Sequence, residues 1–423
     1  MQHPFRRPHL TVTLLALALG AGADARAGEA PAGEAGDGAP GVAVSGFGTV
    51  GMVHSSEEHA DYIASALKSS GAGATRRWSA DVDTRLGLQL DVALDKRWSA
   101  VLQLVSEMNL DNSYSPRVEW ANVKYQVTPE LALRLGRVAL PMFLTAEYRK
   151  VGYIYPWVRP PVESYGTLPF TSGDGIDANL RWNLGPVRNT SQVFFGHADQ
   201  KLAGPMRGYA RRVFGLANTS DWGALSVRAS LLGGEATAAL ADELFDALDA
   251  SGPAGAALTR AYAIDHKQIS VASIGASYDP GTWFLMAEAS RTRTNSLLGA
   301  TRSIYASAGW RYQAFTPYLT WSHVHAVGAT FNPGLPLAGL PPPVAGQVAA
   351  LNAGLNVLLA TVPQQTSVSA GLRWDLRANT ALKLQYDRAT PHEGSRGTMT
   401  NLTPGFQPGR TIHVASVAID FVY

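Results

Sequence analysis

The feature that most constrains this chain is a period-two alternation of apolar and polar residues, which recurs from residue 42 to its end. In the run 368–376, one face carries Val368, Ala370, Leu372, Trp374 and Leu376, and the other carries Ser369, Gly371, Arg373 and Asp375. Successive side chains of a β-strand point to opposite faces, so the pattern predicts strands with one apolar and one polar face. Charges at every second position would be unpaired in a packed core. A closed barrel around a solvated lumen accommodates them.

The connections between the strands are sorted by length. Sixteen runs read as strands, at 42–53, 78–94, 98–107, 118–127, 130–137, 175–184, 187–197, 208–219, 223–233, 267–278, 282–293, 302–312, 315–325, 366–376, 381–388 and 410–423. Short turns alternate strictly with long connections at about 54–77, 108–117, 138–174, 198–207, 234–266, 294–301, 326–365 and 389–409. An even number of strands with short turns on one side and long loops on the other is typical of outer-membrane barrels. The predicted fold is all-β, a transmembrane antiparallel β-barrel of about 16 strands.

The N-terminal residues predict export. Residues 1–27 contain basic Arg6 and Arg7, a short apolar core and A-x-A cleavage sites, which together indicate a signal peptide. Residues 28–41 are low in complexity and predict a flexible leader, so the barrel is expected at 42–423. No later stretch reaches the roughly 18 apolar residues of a spanning helix.

Composition limits the partners and the sources of stability. The chain has no cysteine, so disulfides do not stabilise it. Loss of residues 1–27 would remove three arginines and one aspartate from 35 basic and 33 acidic side chains, which leaves a formally neutral chain. Such a balance argues against a nucleic-acid partner.

The connection 138–174 lies between two amphipathic strands and is the most informative loop. A connection of this length is usually either functional or disordered. Its many aromatic residues argue against disorder. We therefore expect this loop, which follows strand five, to fold into the barrel and narrow the channel.

Arginines recur on the inward face of the strands by the period-two rule. The predicted set is Arg85, Arg134, Arg181, Arg228, Arg311 and Arg373, with Arg137 close by, and the inward acids are Asp81, Asp83, Asp177 and Asp375. Rings of arginine or lysine favour anions. If the arginines cluster at the narrow zone, a modest anion preference follows, for example for small carboxylates, phosphate or sulfate. If the charges cancel, the pore is nearly unselective.

Aromatic residues mark the short-turn side and the end of the chain. Those near the short turns are Trp98, Trp182, Trp222, Trp283, Tyr312 and Phe315, as an aromatic girdle requires. The last run places Ala415, Val417, Ile419, Phe421 and Tyr423 on one face. An exposed apolar edge invites aggregation, and a barrel removes it by pairing the last strand with the first.

Several segments together resemble the Gram-negative trimeric porins, a superfamily of 16-stranded channels. They are the opening strand VAVSGFGTV, the strand TRLGLQLDVAL, the LRLGR strand before the long loop, and the aromatic terminal strand. The resemblance implies a homotrimer in the lipid of a Gram-negative outer membrane. It also implies that the barrel-assembly machinery recognises the terminal strand through Phe421 and Tyr423.

The resemblance further implies that the loop after strand five is a constriction loop opposite basic wall residues. General porins have a mainly acidic loop, whereas this one combines Glu147 and Glu163 with Arg149, Lys150 and Arg159. The expected function is a water-filled channel for passive diffusion of small hydrophilic solutes, with neither enzymatic activity nor a cofactor.

Two other function classes remain open. An outer-membrane enzyme such as a lipase needs a Ser–His pair held by a third polar group, and no motif joins such residues here. A surface-binding barrel without an open channel is the second alternative.

Three local patterns complete the sequence picture. Residues 46–51 match G-x-G-x-x-G without a following helix, so we expect glycines that face a crowded lumen rather than a nucleotide site. His323 and His325 share a strand face but lack an evident third ligand, so no metal site is predicted. Residues 239–250 predict a short helix in the fifth outer loop that caps the rim, with partner binding as an alternative.

Overall fold

Sixteen β-strands form the wall of the molecule in the computed structural model, which describes residues 40–166, 170–202, 207–392 and 394–423. The predicted signal peptide and nearly all of the leader lie outside the described residues. The strands are β1 (Gly41–Ser55), β2 (Arg85–Ala93), β3 (Trp98–Glu107), β4 (Arg117–Gln126), β5 (Leu131–Ala139), β6 (Ser172–Leu184), β7 (Val187–Lys201), β8 (Arg207–Trp222), β9 (Leu225–Ala238), β10 (Ile264–Tyr278), β11 (Trp283–Thr294), β12 (Thr301–Trp310), β13 (Phe315–Ala326), β14 (Gln365–Arg377), β15 (Thr380–Pro391) and β16 (Ile412–Val422).

The wall is closed and antiparallel throughout. Each strand pairs with the next along the chain, and β1 pairs with both β2 and β16. The closing register sets Phe47 opposite Val422 and Gly51 opposite Ala418. The backbone groups of the first and last strands are thereby paired, and the predicted 16-stranded barrel is confirmed.

The predicted alternation of connections is also confirmed. Between β2 and β3, and at every second connection after it, two to four residues join the strands, as at 185–186 and 223–224. The intervening connections are longer, and the longest run at 56–84, 140–171, 239–263, 327–364 and 392–411. All long connections therefore leave from one end of the barrel.

The two faces of the strands differ as the period-two pattern predicts. Leu135 on β5 and Ile176 on β6 lie opposite each other and are 64% and 58% exposed on the outside of the wall. Their inward neighbours Arg134 and Asp177 form an ion pair. The aromatic side chains predicted at the short-turn end are exposed as a girdle requires.

The predicted strand 78–94 begins later than expected. Only β2, from Arg85, belongs to the wall, whereas Trp78–Ser79 forms a two-residue strand beside β1. The hydroxyl of Thr84 accepts a hydrogen bond from the backbone N–H of Gly51 and so replaces a ladder contact. Val82 and Asp83 are fully buried. The alternation would set Val82 on the outward face, and the structure does not.

Two of the glycines in β1, Gly46 and Gly48, have a different role from the one expected. An added Cβ at Gly46 would collide with the ring of Tyr423, and one at Gly48 with the ring of Phe421. Both glycines share the outward face with exposed Val44 and Val50, so the expectation that they face the lumen is wrong. They leave room for the terminal aromatic rings to lie against the first strand.

Short helices lie in the long connections: α1 (Val162–Tyr165), α2 (Asp242–Ala250), α3 (Pro253–Tyr262) and α4 (Pro342–Leu359). The helix α2 confirms the helical pattern at 239–250, while α3 and α4 are additional. Apolar residues of α2, α3 and α4, among them Phe245, Leu248, Leu258, Leu355 and Leu359, share one cluster. None of the helices in the described part of the chain is long and apolar enough to cross a bilayer.

Candidate pore and its constriction

The connection between β5 and β6, residues 140–171, is called the constriction segment below. Its described residues are 140–166 and 170–171. Apolar side chains of this segment share one buried cluster with the lumen-facing side chains of the wall. The segment contributes Leu140, Met142, Phe143, Tyr155, Trp157 and Tyr165, and the wall contributes Phe194, Val213, Val271, Phe284, Tyr305 and Tyr318. The segment therefore packs inside the barrel against β7–β13, as predicted.

Trp157 is the centre of this packing. It is 1% exposed, and its ring meets that of Tyr305 edge to face with the centroids 5.9 Å apart. Its indole N–H lies 2.9 Å from the hydroxyl of Ser307 and 3.0 Å from that of Thr320. The polar atom of a buried tryptophan is thus satisfied by two neighbouring wall strands.

Arg159 joins the segment to three other parts of the barrel. Its guanidinium donates to both carboxylate oxygens of Asp83, at 2.8 and 2.6 Å, and to Asp387 at 3.1 Å. It also donates to the hydroxyl of Ser416 at 2.6 Å. Burial is the largest single influence and disfavours the charged form, but the surrounding acidic groups, Asp83 first and then Asp387, together outweigh it and raise the pKa of Arg159 well above its usual value. The side chain is 3% exposed, so it anchors the segment and does not line an open channel.

Glu163, on α1, is a second buried anchor. Its carboxylate accepts hydrogen bonds from Ser322 at 2.7 Å, from the amide of Gln365 at 2.6 Å, and from Ser367. It is 2% exposed, so the prediction that it lines the pore is wrong for the same reason as for Arg159.

Wall cations hold the backbone of the segment. Lys383 donates to the carbonyls of Gly152, at 2.7 Å, and Trp157, at 2.9 Å. Arg373 donates to the carbonyl of Tyr155 at 3.0 Å, and its guanidinium lies 4.7 Å from the ring centroid of Tyr153. These contacts fix the path of the backbone across β14 and β15.

The other face of the segment borders a small cavity of about 80 Å³ against β2–β4. Its charged lining comprises Lys68, Arg85, Glu107, Arg117, Glu119, Arg149 and Lys150, with Arg159 at its buried edge. We call this set, without Arg159, the cationic face. Five cations face two carboxylates there, so the lining carries a net positive charge.

One carboxylate of the cationic face is shared. Glu107 pairs with Lys150, and it lies 3.7 Å from Lys68 and 3.9 Å from Arg85. Burial is the main cause that lowers the pKa of Lys68, to about 8. Burial also lowers the pKa of Arg149. Because one glutamate cannot neutralise three cations, positive charge remains at the cavity.

A second charged group lies along β4–β9, nearer the short turns. Arg134 donates to Asp177 at 2.6 Å and lies 3.7 Å from Glu147. Asp177 is fully buried and also accepts from Gln192 at 2.7 Å. Arg228 donates to Thr219 at 2.9 Å, and Arg181 is exposed near the turn after β6. These side chains face the lumen, as the period-two rule predicts.

Two predicted lining residues lie away from both charged groups. Arg137 forms an ion pair with Asp174 at 2.5 Å, and both side chains fall on the outward face by the alternation. A left-handed Gly136, at φ 126°, precedes Arg137. Arg311 lies beyond the end of β12, where it pairs with Asp279 of the neighbouring short turn at 2.6 Å. The outward side chain of Arg137 contradicts the prediction that it lines the pore. Arg311 lies at the short-turn mouth, with its guanidinium 5.5 Å from the ring centroid of Phe284, and its role in the pore stays a prediction.

Sequence reasoning missed Lys68 and Arg117. Lys68 lies in the first long connection, to which the period-two rule assigns no face, and Arg117 begins a strand just before a register shift. Only the folded position of the long connection brings Lys68 beside Glu107.

The chain is similar to known proteins both in sequence profile and in fold. A family profile described as Gram-negative porin matches residues 11–391. No curated protein matches by sequence. Among solved structures, the anion-selective porin from Comamonas acidovorans matches with a TM-score of 0.54 and 14% identity over 91% of this chain and 100% of that one.

Two further structures have the same fold. OmpF of Salmonella typhi, in complex with daunomycin, matches with a TM-score of 0.53 and 11% identity over 90% of this chain and 97% of its own. OmpT of Vibrio cholerae matches with a TM-score of 0.51 and 9% identity over 90% and 98%.

Proposed function

Because this chain belongs to the Gram-negative porin family, we propose that it is a channel that passes small anions in preference to small cations. The family places the protein in the bacterial outer membrane as a porin channel. The observation that carries the selectivity is the cationic face, where five cations meet two carboxylates at the cavity between the constriction segment and β2–β4. Fixed rings of arginine or lysine favour anions.

Distance limits which charges matter. Mobile ions screen a charge beyond about 8 Å at physiological salt, so ion selectivity depends on the groups at the narrow zone. The cationic face lies there, whereas Arg311 lies at the short-turn rim with its own carboxylate partner. The solved porin from Comamonas acidovorans is described as anion-selective, which agrees with this proposal.

The outer mouth suggests which anions fit. A cavity of about 370 Å³ opens among the long connections and shares Ser65 and Leu67 with the cavity at the cationic face. Apolar side chains such as Ile63, Leu110 and Phe170 contribute to its lining. An apolar entrance before a positive narrow zone favours organic carboxylates over equally small inorganic anions.

Assembly completes the proposal. We infer that the barrel-assembly machinery recognises the terminal strand, and that three chains associate in the outer membrane. Native mass spectrometry of the detergent-extracted protein tests the trimer, and a single-chain mass alone would contradict it.

Reversal potentials in a planar bilayer under a KCl gradient test the selectivity. The native channel should give the sign expected for chloride preference. The variant Arg85→Gln with Arg149→Gln should move the reversal potential toward zero, while the control Arg311→Gln should not change it. A native cation preference, or no shift in the double variant, would contradict the proposal.

A further inference from the structure

The cavity of about 370 Å³ among the long connections, which we call the outer cavity, is a closed-in apolar space at the outer mouth of the barrel. Sites for small ligands are typically about 300–1,000 Å³, mostly apolar, and hold a few precisely placed polar groups. The apolar lining includes Ile63, Val162, Leu240, Ile264, Leu297 and Met399. Among the described residues of the lining, the single ionisable side chain is that of Arg396, in the connection 392–411.

The guanidinium of Arg396 has no counter-charge within the described part of the chain. None of the ion pairs there involves it. Its Nε is buried and has no hydrogen-bond partner among the same residues. Burial lowers the pKa of Arg396, but arginine stays protonated in proteins. Because an unpaired charge in an apolar environment is costly, this arginine indicates that an anion from outside completes the cavity.

The turn that carries Arg396 is held in place by hydrogen bonds on both sides of it. The hydroxyl of Ser395 donates to the carbonyl of Val362 at 3.2 Å and accepts from the backbone N–H of Gln364 at 3.2 Å. The same hydroxyl accepts from the backbone N–H of Gly397 at 3.0 Å. The backbone that presents the guanidinium to the cavity is therefore fixed before a ligand arrives, and this reduces the entropic cost of binding.

The charge and the walls of the outer cavity together define the chemistry of its ligand. The open Nε edge of a guanidinium matches the two oxygens of a carboxylate in a bidentate geometry. One arginine neutralises one negative charge, so a dianion would bring a second charge into the cavity without a partner. The apolar walls require a ligand with an apolar body, since such surface gains free energy when it leaves water.

We propose that the outer cavity binds a monocarboxylate with a compact apolar body, such as an arylalkanoate, whose carboxylate pairs with Arg396. This inference rests on the proposed anion channel and gives that channel a substrate class. Val162 and Gly166 of the constriction segment line the outer cavity, and Ser65 and Leu67 also line the cavity at the cationic face. A ligand that leaves Arg396 thus passes directly to the positive narrow zone.

Isothermal titration calorimetry of the purified, detergent-solubilised protein tests the proposal. The probes are phenylacetate, its uncharged amide phenylacetamide, acetate, which lacks the ring, and the dianion phenylmalonate. Phenylacetate should bind at least about tenfold more tightly than phenylacetamide or acetate, because each of these lacks one of the two contacts. Phenylmalonate should bind more weakly than phenylacetate, because its second charge has no partner.

Variants of two arginines in the same connection assign the site. Arg396→Gln should bind phenylacetate at least about tenfold more weakly than the native protein, because the charged partner is lost. Arg396→Lys keeps the charge without the bidentate geometry, so its affinity should be intermediate. The matched control is Arg410→Gln, at an exposed position of the connection, and it should bind like the native protein.

Equal affinity for phenylacetate and phenylacetamide, or unchanged affinity in Arg396→Gln, would overturn the proposal. If Arg396→Gln fails to fold, as judged by heat-dependent gel mobility, the four probes on the native protein decide alone. Reversal potentials separate this inference from the one on which it rests. Absent phenylacetate binding beside a native chloride preference overturns the outer cavity site alone, whereas a native cation preference contradicts the anion channel.

Discussion

Arg159 is the residue on which the attachment of the constriction segment depends most. Its replacement by Met would leave the carboxylates of Asp83 and Asp387 buried without their cation. Removing one partner of a buried ion pair typically costs about 3–5 kcal/mol. We expect Arg159→Met to lower the temperature at which the folded barrel unfolds on a semi-native gel.

Arg311→Met is the matched control for this prediction. Its partner Asp279 lies in an exposed turn, and exposed pairs contribute roughly 0–1 kcal/mol. The gel transition of this control should stay close to that of the native protein. Equal transitions for the Arg159 and Arg311 variants would show that the buried network does not hold the segment.

The lowered pKa of Lys68 predicts that the anion selectivity depends on pH. Its pKa of about 8 lies below the ordinary value of 10.5, so it loses its charge as the pH rises through about 8. The cationic face then holds one cation fewer, and the anion preference should decrease. Reversal potentials measured from about pH 6.5 to 9.5 should show this step in the native protein and not in Lys68→Met. The same decrease in the variant would assign the titration to another group.

The lowered pKa of Lys68 also determines how the free energy of unfolding changes with pH. A lysine with a lower pKa in the folded protein binds fewer protons there than in the unfolded chain between about pH 8 and 10.5. Its contribution to the free energy of unfolding therefore increases with pH across that window, because the cost of a buried charge is relieved.

At the scale of elements, the constriction segment determines how much of the lumen is open. Deleting most of residues 140–171 should raise the single-channel conductance, because the segment fills the lumen beside β7–β13. The wall should still form, since its strand pairing does not involve the segment. Its thermal stability should fall, because wall residues such as Phe284 and Tyr305 lose their apolar contacts.

Deletion of α4, which lies in an outer connection, is the control for this experiment. It should change the conductance much less than the loss of the constriction segment. Unchanged conductance after deletion of the segment would mean that the current does not pass beside it.

The terminal strand predicts an assembly phenotype. Deleting Tyr423 uncovers Gly46 and removes the aromatic ring that directly follows β16. Amounts of the protein in the outer membrane should fall sharply while export to the periplasm continues. Tyr423→Phe keeps the ring and should assemble normally. Normal outer-membrane amounts of the truncated protein would contradict this role.

Strand pairing was predictable because it depends on a local pattern. The alternation in runs such as 368–376 predicted which side chains face the lumen and which face outward. The lengths of the connections predicted the end of the barrel at which each connection lies. Local deviations were not predictable in this way. The hydroxyl of Thr84 interrupts the pattern before β2, and the left-handed Gly136 precedes the outward Arg137.

The site was less predictable than the wall, because its residues meet only after the barrel closes. The period-two rule assigned Arg85 and Arg373 to the lumen but did not show which part of the lumen the constriction segment covers. Arg373 donates to the carbonyl of Tyr155, whereas Arg85 lies at the cavity on the other face of the segment. The aromatic content of 138–174 argued for an ordered loop, and its apolar packing on the wall appeared only in three dimensions.

For the whole molecule, the central claim is that ions pass between the constriction segment and β2–β4. The chain has no cysteine, so single cysteines can be modified without background. Ser65→Cys places a thiol at the cavity shared by the outer mouth and the cationic face. Ser307→Cys places one beneath Trp157, on the covered side.

The most direct test is the current through each single-cysteine channel during treatment with a negatively charged methanethiosulfonate reagent. For Ser65→Cys, the current and the anion preference should both decrease, because the modification adds bulk and negative charge beside the conducting path. For Ser307→Cys, both should stay unchanged. Block at Ser307→Cys with no effect at Ser65→Cys would place the path on the other side of the segment and contradict this account.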